Sequence, residues 1–527
     1  MATSTNLGSR RNAAQRHALA GVQREVLAND HSGRRKYLQS FSRAFRSYES
    51  IIDRQEWTGL VNAADLILIG DYHALSAAQR FAANLLEERA HPGDRPVVLG
   101  VETIFSHHQH ILDEWWRREV EADELRQRMR FEVDWGYDWA PFYELLVTAR
   151  EHAEAIYGLD CLPREDLRKI GARDRHAADR LAEVRRRHPD AVILVLFGES
   201  HLAPQHLPRV LRDRLPGEQL LTVLQNVDNL YWQATNERQE RVDAVRVSDD
   251  VLCVFNATPL EKYESYRLHL SRWSRSEEEG PDLTPTIYNL IESLIRFLGI
   301  DLYASHNGTQ PKFLVDLLPE IYCGSSDARL KRLLLRALGE PARVENAMQR
   351  VESQGSVYLP SINVMYVREF QMMYAAEEAS RFLHHACRGL PLRRNGELRN
   401  SLSQIDRFYA RTVEHALAYF GSRVLYPVSP PGHCGDGSAL SQRLCHQLAS
   451  DALRGPRDEF DEIAQKLAFM LSSQLYDAYL RGSVSRTVLR HFFLAHIDEP
   501  GKAREVCGEI IRKLRSSRKK PCSSVRA

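Results

Sequence analysis

Two short loops carry the side chains best suited to chemistry. Gly70-Asp71-Tyr72-His73 and Gly198-Glu199-Ser200-His201 share the pattern G-x-x-H. In each, glycine permits a tight backbone turn and the histidine sits just before the next helical pattern. Glu102 and Asp160 stand at the ends of two further apolar runs. Two imidazoles and a carboxylate on one rim suit a divalent metal ion, or a His/Glu pair that activates water. One such loop alone is accounted for by a histidine satisfying backbone groups near a helix start. Two loops at equivalent positions, with Glu102 between them, favour a shared site made of His73, Glu102 and His201. That reading requires the three side chains to meet within about 6 Å.

The elements that must position these residues are legible between residues 61 and 260. Short branched-apolar runs recur at Leu66–Ile69, Val97–Val101, Ala155–Leu159, Val192–Phe197, Leu220–Leu224 and Val251–Phe255. Their composition suits strands covered on both faces, as in a parallel sheet. Helical patterns alternate with them at Ser76–Arg89, Arg173–His188 and Pro204–Leu215, and Ser76 with Gln79 reads as a capping box. Strand–helix alternation means βαβ units and an α/β domain. In an open parallel sheet, ligands bind where the strands end, which is where the G-x-x-H loops fall.

The rest of the chain is different. Gly280, Pro281 and Pro285 mark a break, and helical patterns then follow at about 287–298, 326–338, 343–353, 362–388, 400–422, 438–453, 457–480 and 484–496. The expected organisation is a basic segment at 1–50, an α/β domain at 51–280, an α-helical domain at 281–510 and a basic, frayed tail at 511–527. With 71 basic and 70 acidic residues in 527, the net charge of +1 gives no global field for nucleic acid or an anionic membrane. Eight cysteines are too few for a disulfide scaffold. The first fifty residues have no apolar segment of a secretory signal, and no run of about 18 apolar residues occurs anywhere. A soluble, cytoplasmic protein is the expectation.

The stretch LILIGDYHALSAAQ, followed by VVLGVETIF, DWGYDWAPFYELLVTAR, AIYGLD and VILVLFGESHLAPQHLP, resembles the ChaN-like, haem-binding-uptake branch of the Tiki/TraB superfamily, which also takes in erythromycin esterases. The resemblance covers roughly residues 45–260. It is strongest in the paired G-x-x-H loops and in Trp135, Trp139 and Tyr143. It implies a mostly parallel sheet flanked by helices, and chemistry that differs between branches. ChaN binds haem, Tiki-like relatives are metal-dependent proteases that use the G-x-x-H histidines, and the esterases use the first-loop histidine with a glutamate as base. Carried over, His73, Glu102 and His201 are the hydrolase-type or metal-holding residues. Asp71 stands where relatives usually have glutamate. For haem, which needs an axial His, Tyr, Met or Cys over an apolar slot, Tyr72 and His73 are the candidate ligands, with Trp135, Tyr137 and Trp139 as walls.

Other clusters read more blandly. His107, His108 and His110 follow Glu102 and suit a solvated helix start. Glu377, Glu378, His384, His385, Glu414 and His415 lack the Glu-x-x-His spacing of di-iron bundles. His433-Cys434 and Cys445-His446 are too closely spaced for a zinc finger. No P-loop, G-x-G-x-x-G, H-E-x-x-H, C-x-x-C or G-x-S-x-G occurs, which disfavours nucleotide kinases, Rossmann dehydrogenases, zincins and serine α/β-hydrolases. The leading expectation is a ChaN-like domain binding haem or a divalent metal ion at the strand ends. The alternatives are a metal-assisted or His/Glu-based esterase or peptidase, and a non-catalytic module whose helical half binds a protein partner.

Overall fold

A computed structural model describes residues 2–30, 36–91, 94–161, 170–237, 242–273, 282–300, 314–388, 402–427, 442–454 and 457–518. The chain divides into two compact units, Gln23–Arg275 and the combination of Met1–Val22 with Ser276–Ala527.

The first unit is built on eight strands: β1 (Ser50–Ile51), β2 (Leu66–Asp71), β3 (Val97–Phe105), β4 (Ala155–Asp160), β5 (Val192–Gly198), β6 (Leu220–Gln225), β7 (Ala244–Ser248) and β8 (Val251–Val254). They lie in the order β1-β7-β8-β6-β2-β5-β3-β4. From β8 to β4 every pairing is parallel, as the branched-apolar runs imply. Sequence periodicity did not reveal β1 and β7, which pair antiparallel at one edge.

Both faces of the sheet are covered. Ile67, Ile69, Leu99, Val101, Leu194 and Leu196 pack on one side in a core shared with helices Ser76–Arg89 and Trp139–His152. Leu66, Leu68, Val98, Ile193, Val195 and Phe197 pack on the other, against helices Ile170–Arg187, Leu207–Arg214 and Asp228–Glu237. At about 25 cal/mol per Å² of apolar surface, burial on both faces is the main term holding this layer together.

The sheet order decides which loops meet. β2, β5, β3 and β4 are consecutive neighbours, so the ends carrying Asp71, Gly198, Glu102 and Asp160 lie side by side. Asp71 is in register with Gly198. β3 runs four residues past its expected end, with a register shift between Val101 and Phe105. A bulge of this kind re-aims side chains, and Glu102 lies within it. Gly158 on β4 makes room: a Cβ there would lie 2.7 Å from both the carbonyl oxygen and Cγ2 of Ile104.

The second unit is mainly helical, with helices Met372–Arg388, Gln404–Leu425 and Arg457–Leu480 at its centre. It also contains a small sheet absent from the sequence reading: β9 (Glu320–Cys323), β10 (Ser356–Leu359) and β11 (Val364–Val367), in the order β10-β11-β9. The helix expected from 362 therefore starts at Met372. Pro360 and Asn363 turn the chain between β10 and β11, Asn363 at φ 51°, a left-handed conformation that asparagine tolerates. At the other end, helix Lys502–Arg518 passes through the start of the expected tail, with Ile511 and Leu514 buried. Among the described residues, no helix is long and apolar enough to cross a membrane.

Candidate functional site

The loop after β2 sets His73 by its own neighbour. Asp71 Oδ2 lies 2.6 Å from His73 Nδ1, and Gln79 Nε2 donates to the other aspartate oxygen. Gln79 is thus spent on Asp71 and caps no backbone; the helix begins after Leu75 without a side-chain cap. An ionised carboxylate only accepts hydrogen bonds, so His73 carries its hydrogen on Nδ1 and turns Nε2 inward. The loop after β5 repeats the device. His201 Nδ1 lies 2.6 Å from Asp174 Oδ1, and the other oxygen of Asp174 is 3.3 Å from His206 Nδ1.

Both inward nitrogens face Glu102. His73 Nε2 is 3.6 Å from Glu102 Oε2, and His201 Nε2 is 3.8 Å from Glu102 Oε1. The three side chains chosen from the sequence therefore meet. Glu102 is almost fully enclosed, as are Asp160 and Arg173. Arg173 donates from Nη2 to Glu102 Oε1, and it grips Asp160 through Nε at 2.9 Å and Nη2 at 2.7 Å. The Gly198 N–H donates to Glu102 Oε2. A Cβ at Gly198 would lie 2.9 Å from that oxygen and 3.5 Å from His73 Nε2, so a side chain here would push the carboxylate aside. Burial pushes the Glu102 carboxyl up, but Arg173, His73, His201 and the Gly198 amide outweigh it and hold the carboxyl at about 2. A carboxylate this acidic is a weak base. Its negative charge lies between the two inward imidazole nitrogens.

Arg173 and Asp174 escaped the sequence reading because they sit in a helix that reads simply as charged. The usable signal is positional. After each parallel strand the first turn of the following helix lies on the strand-end rim, and Ile170–Arg187 follows β4. The same rule finds Lys262 in the first turn of helix Pro259–Trp273, after β8. Its ammonium lies 3.0 Å from both oxygens of Glu199 and 4.5 Å above the Tyr72 ring. Burial pushes Lys262 down, and Glu199 and Asp228 more than reverse this.

Aromatic rings surround His73: Trp135 at 5.3 Å, Tyr137 at 5.2 Å and Phe142 at 6.4 Å between ring centres. Trp135 continues to Phe105 at 6.0 Å, and Phe105 to His107 and His108 at 5.6 and 5.9 Å. Phe105, Phe131, Trp135 and Phe142 form one apolar cluster, with Tyr137 and Trp139 against it.

Tyr72 is held in its phenol form, pushed well up by burial and then by Tyr263, Glu199, Tyr266 and Asp228. His73 has Nδ1 engaged by Asp71 and turns Nε2 toward Glu102. For a divalent cation, Glu102 is already matched by the Arg173 guanidinium. Among the described residues no group of three or more His, Cys, Asp or Glu is arranged to hold a metal ion. In the helical unit, Glu377, Glu378 and Glu414 gather on Arg381 at 2.9, 3.2 and 3.1 Å, a buried ion network. His433 and Cys434 lie outside the described residues.

The fold and the site define a class: a mainly parallel α/β unit with paired Asp–His dyads converging on a buried carboxylate at its strand ends. Residues 58–193 match the family described as haem-binding uptake, Tiki superfamily, ChaN. A solved structure of ChaN from Campylobacter jejuni, described as showing cofacial haem binding, is 16% identical. It covers 40% of this chain and 98% of its own, with a TM-score of 0.27. No curated protein matches the chain.

Proposed function

We propose that the α/β unit is a hydrolase of His/Glu type, acting without a metal ion on an ester or amide whose acyl part is planar and apolar. The observation that carries this is the pair of Asp–His dyads whose Nε2 atoms face one ionised, arginine-clamped glutamate. Asp71 fixes the His73 tautomer, so neutral His73 takes a proton from water at Nε2 as the water oxygen attacks the carbonyl carbon. His201 supplies a proton from Nε2 to the leaving oxygen or nitrogen. Glu102 stabilises both imidazolium forms and takes no proton itself. Arg173 and Asp160 keep it in place. Trp135, Tyr137 and Phe142 supply an apolar wall for the acyl group. Removing a general base or acid of this kind lowers the rate by roughly 10²–10⁴-fold. A panel of aryl and alkyl esters and anilides tests the reading. Hydrolysis lost in His201→Asn and Glu102→Gln supports it, and equal rates in wild type and both variants overturn it.

A second reading, haem binding, is favoured by the ring series from His73 through Trp135 and Phe105 to His108 and by the family's description. In it the ligand lies on the aromatic wall, and His108 is the imidazole it meets. Burial and His107 push His108 down, keeping it neutral, and its Nδ1 has no hydrogen-bond partner. Haem titration decides it: a Soret shift abolished in His108→Ala supports binding, and an unshifted spectrum at micromolar haem excludes it.

A further inference from the structure

A serine and a histidine meet beside the rim, outside everything described above. β3 ends at Phe105, in register with Asp160 of β4, and Ser106 is the next residue, opening the short helical turn Ser106–His108. His176 lies on helix Ile170–Arg187, three residues after Arg173 and therefore on the same face of that helix. Ser106 Oγ is 2.9 Å from His176 Nε2. A serine near a helix start ordinarily caps a backbone N–H. Neither this turn nor helix Gln109–Trp116, which continues it, has a side-chain cap, and the Ser106 hydroxyl turns to the imidazole instead. Both residues are partly exposed, whereas His201 is buried.

We infer that Ser106 and His176 are a nucleophile–base dyad that takes an acyl group from a carboxylic ester and forms an acyl-serine. This goes beyond the water-activating dyads of His73 and His201, because here the protein itself is acylated. A serine within hydrogen-bond reach of a base, roughly 2.6–3.2 Å, is the geometry that such catalysis needs. Burial pushes His176 down against the opposing charge of Asp160, so the imidazole is neutral at pH 7 and can take up the hydroxyl proton. Trp135, Tyr137 and Phe142 pack on His73 rather than on this pair, which suits a short acyl group such as acetyl.

The steps balance. Ser106 Oγ attacks the carbonyl carbon as its proton passes to His176 Nε2. The bond from that carbon to the alcohol oxygen breaks, and the alcohol leaves with the His176 proton. Water then attacks the acyl carbon and gives a proton to His176, and the acid is released as the bond to Oγ breaks. Ser106 takes the proton back. One ester and one water become one acid and one alcohol.

The test treats the full chain near neutral pH with diisopropyl fluorophosphate, which phosphorylates an activated serine and expels fluoride, and then maps peptides by mass. A stoichiometric adduct on Ser106 is expected in the native chain and is lost when the reagent is added in urea. His176→Gln keeps a hydrogen-bonding side chain without a base, and its Ser106 is expected to react at least roughly 10²-fold more slowly. Labelling does not run through His73, so the same adduct is expected in His73→Asn, and the His73 reading is scored separately by ester hydrolysis. Absence of an adduct on Ser106 in the native chain, equal labelling in urea, or an undiminished rate in His176→Gln overturns the proposal and leaves the pair as a tie between two elements. The wild-type comparison of native and urea-treated chain decides the outcome even where a variant folds poorly.

Discussion

Arg173 is the point at which the site is most exposed to a single substitution. Its guanidinium is the positive charge gripping both Glu102 and Asp160, and all three side chains are at most 6% exposed. Arg173→Met keeps most of the stem and removes the charge, leaving two buried carboxylates without it. Breaking a buried pair in this way costs about 3–5 kcal/mol. Protonation gives a similar figure. Glu102 falls from the ordinary 4.5 to about 2, which at 1.36 kcal/mol per unit is roughly 3 kcal/mol. Because the folded value is depressed, this stability is complete above about pH 4.5 and is lost as the pH falls toward 2. In the variant the sign reverses. Burial without the guanidinium raises the carboxyl, so the cost is greatest at pH 7 and shrinks as the pH falls and the group is protonated. Urea unfolding followed by tryptophan fluorescence measures this in the right unit, because all seven tryptophans, from Trp57 to Trp273, lie within Gln23–Arg275. The expected result is a loss of about 3–5 kcal/mol at pH 7 that narrows by pH 5. A loss below about 1 kcal/mol, equal at both pH values, is what an exposed ion pair gives and would refute the clamp.

Further tests address other parts of the rim. Gly198→Ala places a methyl 2.9 Å from Glu102 Oε2, so Glu102 must leave the Gly198 amide. Overpacking of this kind costs about 1–3 kcal/mol in the same unfolding assay, and an unchanged midpoint counts against the close approach. Lys262→Met strands Glu199 and is expected to cost about 3 kcal/mol, with part returned by adding Glu199→Gln. If the double variant is no more stable than the single one, the two residues are not paired.

What could be read from sequence follows a physical line. Strand runs buried on both faces announce themselves by continuous branched-apolar residues, so β2 to β6 and β8 were visible. The loops of His73 and His201 were visible because glycine and histidine recur at equivalent strand ends. The convergence on Glu102 rests on strand order, which sequence does not print: β5 lies between β2 and β3. Arg173 and Asp174 were hidden among the many charges of Ile170–Arg187, and only the rim position of a helix's first turn distinguishes them. Gln79 satisfied a capping pattern and yet bonds Asp71, because burying that carboxylate without a donor costs more than an uncapped helix start. In the helical unit, β10 and β11 are four residues each, too short for periodicity to separate from their flanking helices.

The most direct test of the central claim is the pH dependence of p-nitrophenyl benzoate hydrolysis by wild type and His73→Asn, with the apolar wall intact in both. The account predicts a rate that rises as one imidazole loses its proton, and a fall of roughly 10²-fold or more in the variant across the whole range. A wild-type rate no greater than that of buffer, or a His73→Asn rate equal to wild type, would contradict it.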